Sequence, residues 1–214
     1  MCYGPFYNPE DGLVIQTGGS LPHWNQTRKI QFITIRLADS LPQDRIAEIR
    51  SIKDEFLHQH PEQPWSSETI RHYHTLVGIA EEKLMDNGYG SCILRLPQVR
   101  NVLEETIRYF DGLRFKLIAY VIMPNHVHLL IQTIENNALA DILHSIKRYT
   151  ARNINKLIER TGGLWFREYY DRMIRNRGHF DRTLKYIENN PRFLPQSQYS
   201  LYINSDFISK ELGI

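Results

Sequence analysis

Cysteine is nearly missing from this chain. Its two, Cys2 and Cys92, fit neither a metal-site spacing nor a disulfide framework. A disulfide-stapled scaffold is thereby excluded, and two free thiols in a reducing compartment are expected. Long apolar runs are also missing. No stretch approaches the roughly 20 residues that cross a bilayer, so no membrane association is expected. The opening "MCYGPFYNPEDGLVIQTGGS" has no basic start followed by an apolar core, so no signal peptide is expected and the cytoplasm is the expected location. The His-Glu-x-x-His of helical zinc hydrolases is absent, as are internal repeats and low-complexity tracts. What remains is ordinary globular material: 214 residues, 42% hydrophobic and 23% charged, enough for one core.

The net charge of +2 says little, but its distribution says more. Between Asp141 and Tyr186 there are 11 Lys/Arg against 5 Asp/Glu, an excess of +6, while the rest of the chain carries −4. A confined basic excess in a near-neutral protein suits an anionic ligand such as nucleic acid, although a charge run is often only a solvated face.

Periodicity gives the elements. "RKIQFITIRLADSLP" (28–42) alternates as a strand. "QDRIAEIRSIKDEFLHQH" (43–60) has apolar residues at helical spacing, broken by Pro61 and Pro64. A second helix is expected over 66–86 and a third over 96–112, with Pro97 in its first turn and Gly112 as its stop. "LRFKLIAYVIM" (113–123) and "HVHLLIQTI" (126–134) read as two strands, separated by Pro124 and Asn125 and close enough for an antiparallel pair. A long amphipathic helix follows over 138–160. The segment 164–176 reads as loop then strand, and 177–190 as a helix stopped before Pro191. Beyond that the chain is Pro- and Ser-rich and no element is assigned. The order favours an α+β fold with an antiparallel sheet and packed helices. Residues 43–95 look like a helical insertion after the first strand.

Two patterns carry chemistry. The first is "VIMPNHVHLLI" (121–131). On a strand, i and i+2 share a face. His126 and His128 would lie side by side, and Val127, Leu129 and Ile131 would point into a core on the other face. Two imidazoles plus an oxygen donor suit a divalent metal with open positions; two ordinary histidines are the plainer reading. On a helix such a pair would diverge, so the second His-x-His, His72 and His74, reads as ordinary. The second pattern is "LKYIENNP" (184–191). Arg182, Tyr186 and Asn190 share a helix face at i, i+4 and i+8. They present a guanidinium, a phenol and an amide oxygen, which is a donor suited to Mg²⁺ or Mn²⁺. A phenol brought to a metal-bound phosphate is a nucleophile. Tyr169 and Tyr170 in "REYYDRMIR" compete for that role.

Taken in order, "MPNHVHLL", a long basic helix, "LWFREYYDRMIRN" and "YIENNP" resemble the IS200-like transposases, and within them the REP-associated tyrosine transposases. The resemblance runs from about Gly19 to Pro191. It implies a ferredoxin-like α+β domain of the HUH-endonuclease type over 21–192, a short N-terminal extension (1–20) and a C-terminal tail (193–214). It implies Mg²⁺ or Mn²⁺ held by His126, His128 and Asn190, with Tyr186 as nucleophile. It also implies cleavage of single-stranded DNA at REP-like hairpins through a 5′-phosphotyrosine, by a monomer or a homodimer. A hairpin-binding protein of the same fold that has lost cutting is the alternative. Lys147, Arg148, Arg152, Lys156, Arg172, Arg175 and Arg182 are candidate phosphate contacts, and Arg182 is also one turn from the phenol. Where the family often reads Val-Lys-Ala-Gly after the Asn-Pro, this chain reads "RFLPQ"; Arg192 could stand in for the lysine's charge.

Overall fold

The computed structural model describes residues 4–8, 14–16, 23–62, 65–78, 84–85 and 87–213. Strands β1 (Val14–Gln16) and β2 (His23–Asn25) form a small antiparallel pair by themselves. The main sheet has five strands in the order β6-β3-β5-β4-β7, and every pairing is antiparallel. These are β3 (Ile30–Arg36), β4 (Phe115–Ile122), β5 (His126–Thr133), β6 (Tyr170–Met173) and β7 (Ser200–Ile203). Helices α1 (Gln43–Gln59) and α2 (Ser67–Tyr73) follow β3, then α3 (Pro97–Phe110) precedes β4. Helix α4 (Leu139–Leu157) links β5 to β6, α5 (Arg177–Asn189) follows β6, and α6 (Ser205–Leu212) ends the fold.

Set the inserted helices aside and the chain reads β3-α3-β4-β5-α4-β6, with the four strands ordered β6-β3-β5-β4. That is the split βαβ arrangement expected from the sequence. Strand β3 is central and buried along its whole length. Helices α3 and α4 cover one face of the sheet, where Val127, Leu129 and Ile131 join Leu103, Ile107, Ile142 and Ile146. Helices α5 and α6 cover the other, where Leu130, Phe32 and Ile118 join Phe180, Ile187 and Phe207. The apolar run of β5 follows from this: a strand with both faces covered has no solvent side. His126 and His128, on the face opposite Val127, Leu129 and Ile131, are as buried as their neighbours.

The local signals explain the helix ends. Pro97 opens α3. The Asn176 side chain caps α5 by accepting from the His179 N–H at 2.9 Å. Asn204 caps α6 in the same way, from Phe207 at 3.0 Å. The expected helix over 66–86 is α2 followed by one π-helical turn, His74–Gly78; residues 79–83 and 86 lie outside the described residues. The insertion has its own small core of Leu41, Ile49, Phe56, Trp65, Tyr73 and Met85. Residues 200–212, to which the sequence reading assigns no element, supply β7 and α6. Among the described residues no helix is long and apolar enough to cross a membrane.

Candidate active site

The site lies on the sheet face covered by α5. In the β3–β5 register Thr34 faces His128, so their side chains share a face. Thr34 Oγ1 lies 2.8 Å from His128 Nδ1. The other ring nitrogen, Nε2, is 3.3 Å from the Tyr186 hydroxyl. Tyr186 comes from α5 of the same chain, 58 residues further on. The His126 and His128 rings are 4.7 Å apart, and Phe32 stacks on His128 at 5.2 Å.

His126 is oriented by its neighbour. Its Nδ1 is 2.8 Å from Asn125 Oδ1. The Asn125 amide nitrogen donates to the backbone oxygens of Met85 (3.1 Å) and Tyr89 (3.2 Å). With its N–H groups committed there, Asn125 offers His126 an acceptor. His126 Nδ1 therefore carries the proton, and Nε2 keeps a bare lone pair. Met85 and Tyr89 belong to the end of the insertion. That end is held by Gly90, whose φ is +87° and whose added Cβ would lie 2.3 Å from Asp39 O. The Ser91 N–H donates to Asp39 Oδ2 at 2.9 Å. The insertion thus braces the first histidine, and Asn125 is the residue that sequence reasoning left as a mere turn. Its only sequence signal is its place immediately before His126.

Both imidazoles are held neutral. Burial lowers the His126 pKa to about 3. His128 is lowered well below its ordinary value by burial, with smaller contributions from His126 and the Arg172 guanidinium. Neutral imidazole is the metal-binding form. His126 Nε2 is buried without a hydrogen-bond partner among the described residues, and so is Asn190 Oδ1. Such orphans are rare in native interiors and ask for an explanation. Both residues line one cleft of about 480 Å³ with Tyr186, Lys185, Arg192 and Phe193. Among the described residues no group of three His, Cys, Asp or Glu is placed to hold a metal. The donors that could hold a metal here are two imidazole nitrogens with amide and phenol oxygens, chemistry that would suit a divalent ion accepting nitrogen and oxygen.

The competing phenols lie on different faces: Tyr169 on the other, Tyr170 on the same face as Thr34 and His128. Tyr169 packs with the opposite face of the sheet, and burial pushes its phenol pKa far up. Tyr170 is buried on β6 opposite Thr34.

The basic residues divide between the faces. Arg172, on β6 opposite Phe32, lies over that ring at 4.9 Å, and its buried Nε has no hydrogen-bond partner among the described residues. Arg182 is exposed on α5 and Arg175 half-buried before it; both, with Arg172, add to the positive field that helps burial hold His179 at about 4. Arg148, Arg152 and Lys156 are exposed on α4, across the sheet from Tyr186. Lys147 is tethered: its ammonium donates to the backbone oxygens of Phe166 (2.6 Å) and Arg167 (2.7 Å). Burial foremost, then the Arg36 charge, lowers its pKa to about 8.

Residues 94–190, from the start of α3's approach to Asn190, match the family model described as Transposase IS200 like. A protein of Haemophilus influenzae named as a REP-associated tyrosine transposase is 28% identical over 104 residues, which is 44% of this chain and 57% of that relative. The match thus spans little more than half of the relative's length. A REP-associated tyrosine transposase solved with a REP hairpin overlays with a TM-score of 0.41 at 14% identity, over 78% of this chain and 68% of that one. A crystal structure from Deinococcus radiodurans described as a transposase overlays with a TM-score of 0.32 at 13% identity, over 78% of this chain and 93% of that one.

Proposed function

We propose that the protein, whose residues 94–190 match the IS200-like transposase model, is a transposase that cuts and rejoins single-stranded DNA at hairpins. Tyr186 is the nucleophile. The observation that carries this is the Tyr186 hydroxyl 3.3 Å from His128 Nε2, beside a second neutral histidine with a buried, unpartnered nitrogen.

His126, His128 and Asn190 would hold Mg²⁺ or Mn²⁺, which when bound polarises a non-bridging phosphate oxygen and orients the phosphodiester for in-line attack. The rest is done by the protein. Thr34 and Asn125 fix the two imidazole rings, so the ligand set is preorganised rather than assembled on binding. The T-shaped packing of Tyr186 on Phe32, at 5.9 Å, aims the phenol at the pair. A free phenol ionises near pH 10, so attack near neutrality needs positive charge close by. Arg172, whose guanidinium lies over the Phe32 ring that packs on Tyr186, supplies it from β6. The Tyr186 oxygen forms a bond to phosphorus, and the bond from phosphorus to the 3′ oxygen breaks. The phenol's proton leaves to solvent and the departing oxygen takes one up. A 5′-phosphotyrosine and a free 3′-hydroxyl result, and attack by a 3′-hydroxyl on the phosphotyrosine rejoins strands.

The test is a labelled hairpin oligonucleotide with single-stranded flanks, incubated with Mg²⁺ or Mn²⁺. A covalent protein–DNA adduct is expected from the wild type and from neither Tyr186→Phe nor the double variant His126→Ala/His128→Ala. An adduct that survives Tyr186→Phe but is lost in Tyr170→Phe would move the nucleophile to β6. Tight hairpin binding with no adduct at any metal concentration would leave a binding protein instead.

A further inference from the structure

The cleft has a feature that the strand-transfer reading does not use. Immediately after Asn190 and the buried Pro191, the chain makes a tight turn. The Arg192 N–H donates to Asn189 O at 3.2 Å, and the Leu194 N–H to Pro191 O at 2.8 Å. This turn presents Phe193 to solvent. Its side chain is 84% exposed, more than any other large apolar side chain among the described residues. The Arg192 guanidinium lies 4.5 Å from the ring centroid. Both residues line the cleft that holds His126, Tyr186 and Asn190.

A phenyl ring left in water forgoes the hydrophobic gain of burial. A single exposed ring is common enough on a surface. This one is braced by a cation, held by two backbone bonds and set at the mouth of a candidate phosphoryl-transfer site. Lys185 and Arg192 add positive charge at the rim, and Met85, Met123 and Leu194 make the floor apolar. A flat apolar ring beside cations, over a cleft of this size, matches one unpaired nucleotide: base on the ring, phosphate on the cations.

We infer that Phe193, backed by Arg192, is a stacking platform for the unpaired base that adjoins the scissile phosphate. The inference rests on the single-strand reading above and deepens it. Phe193 would set how tightly the flanking strand is held, and hence where along it the phosphate meets Tyr186. Hairpin recognition lies outside the platform.

The experiment measures affinity with two oligonucleotides, a hairpin with a single-stranded flank and the same hairpin blunt, for wild type, Phe193→Ala and Phe193→Trp. Phe193→Ala is expected to weaken binding of the flanked hairpin by about ten- to a hundredfold, the loss of one stacked base, and to leave the blunt hairpin unchanged. Phe193→Trp should keep the wild-type affinity. A 2-aminopurine in the flank should lose fluorescence on binding wild type and not on binding Phe193→Ala. Equal affinity of wild type and Phe193→Ala for the flanked hairpin overturns the platform, as does an equal loss on both oligonucleotides. The two readings separate cleanly. A wild-type adduct with no effect of Phe193→Ala leaves strand transfer standing and removes the platform. A flank-specific loss without any Tyr186 adduct does the reverse.

Discussion

Strand β5 buries its two faces equally but differently. On one, Val127, Leu129 and Ile131 sit among aliphatic and aromatic side chains. On the other, His126 and His128 are 1% and 0% exposed, as dry as the leucines behind them. An apolar side chain needs nothing from its burial except packing. A buried imidazole has two nitrogens to satisfy. Three of the four in this pair have partners: Asn125, Thr34 and Tyr186. The fourth, His126 Nε2, has none among the described residues. Burial therefore does not tell a core strand from a candidate metal centre; the account of the polar atoms does.

The largest expected effect tests the apolar face. Leu129→Ala should cost about 2–5 kcal/mol of stability, read from urea unfolding, through lost packing and a cavity. The Mn²⁺ affinity of the folded protein should not change. A large drop in that affinity would mean that the two faces are not independent.

On the other face the order reverses. Asn125→Ala should weaken Mn²⁺ binding by about 10–100-fold, measured by calorimetry, because the partner that orients His126, a proposed ligand, is lost. Unchanged affinity would remove His126 from the ligand set. Gly90→Ala reaches the same histidine from further away. Its backbone conformation strains any side chain, and the new Cβ would meet Asp39 O. A loss of about 1–3 kcal/mol is expected, together with a weaker hold on Mn²⁺ as Tyr89 O and Met85 O shift from Asn125. Loss of stability with no change in metal binding would confine Gly90 to the insertion.

The smallest effect is in pH. His179, on the site-bearing side of the sheet, is held at about 4 by burial and by Arg172, Arg175 and Arg182. In the unfolded chain it returns to about 6.5. As pH falls through 6.5 the unfolded state takes up a proton that the folded state refuses, so stability declines down to about pH 4 and then levels. His179→Gln should make urea unfolding, measured with a chelator present, less sensitive to pH across that window. An unchanged slope would mean that His179 titrates normally.

Some of the site was legible beforehand for a simple reason. Strand alternation is a backbone property, so two histidines at i and i+2 on β5 had to share a face. Helical spacing is another: it put Tyr186 and Asn190 on one side, and both line the cleft, which Arg182 at the same spacing does not. The expected strands over 113–123 and 126–134 are β4 and β5, and the expected helix over 177–190 is α5. The less legible parts lack such periodicity. Strand β7 is four residues in a Pro- and Ser-rich stretch, and it is stable because β4 offers it an edge. Asn125 is a turn residue whose amide reaches 36 and 40 residues back along the chain. The basic excess showed charge and not placement, and α4 carries its share of it across the sheet from Tyr186.

The sequence by itself determined which side chains sit beside which along one strand and one helix, because those spacings are set by local backbone geometry. The tertiary structure decided that the strand and the helix meet, that the meeting is dry on both faces, and that Tyr186 arrives at His128 while Tyr169 packs on the other face. Those outcomes depend on the order β6-β3-β5-β4 and on α5 folding back over the face opposite α4. Contacts across 58 residues are fixed by how whole elements bury their apolar sides, and no local pattern records that.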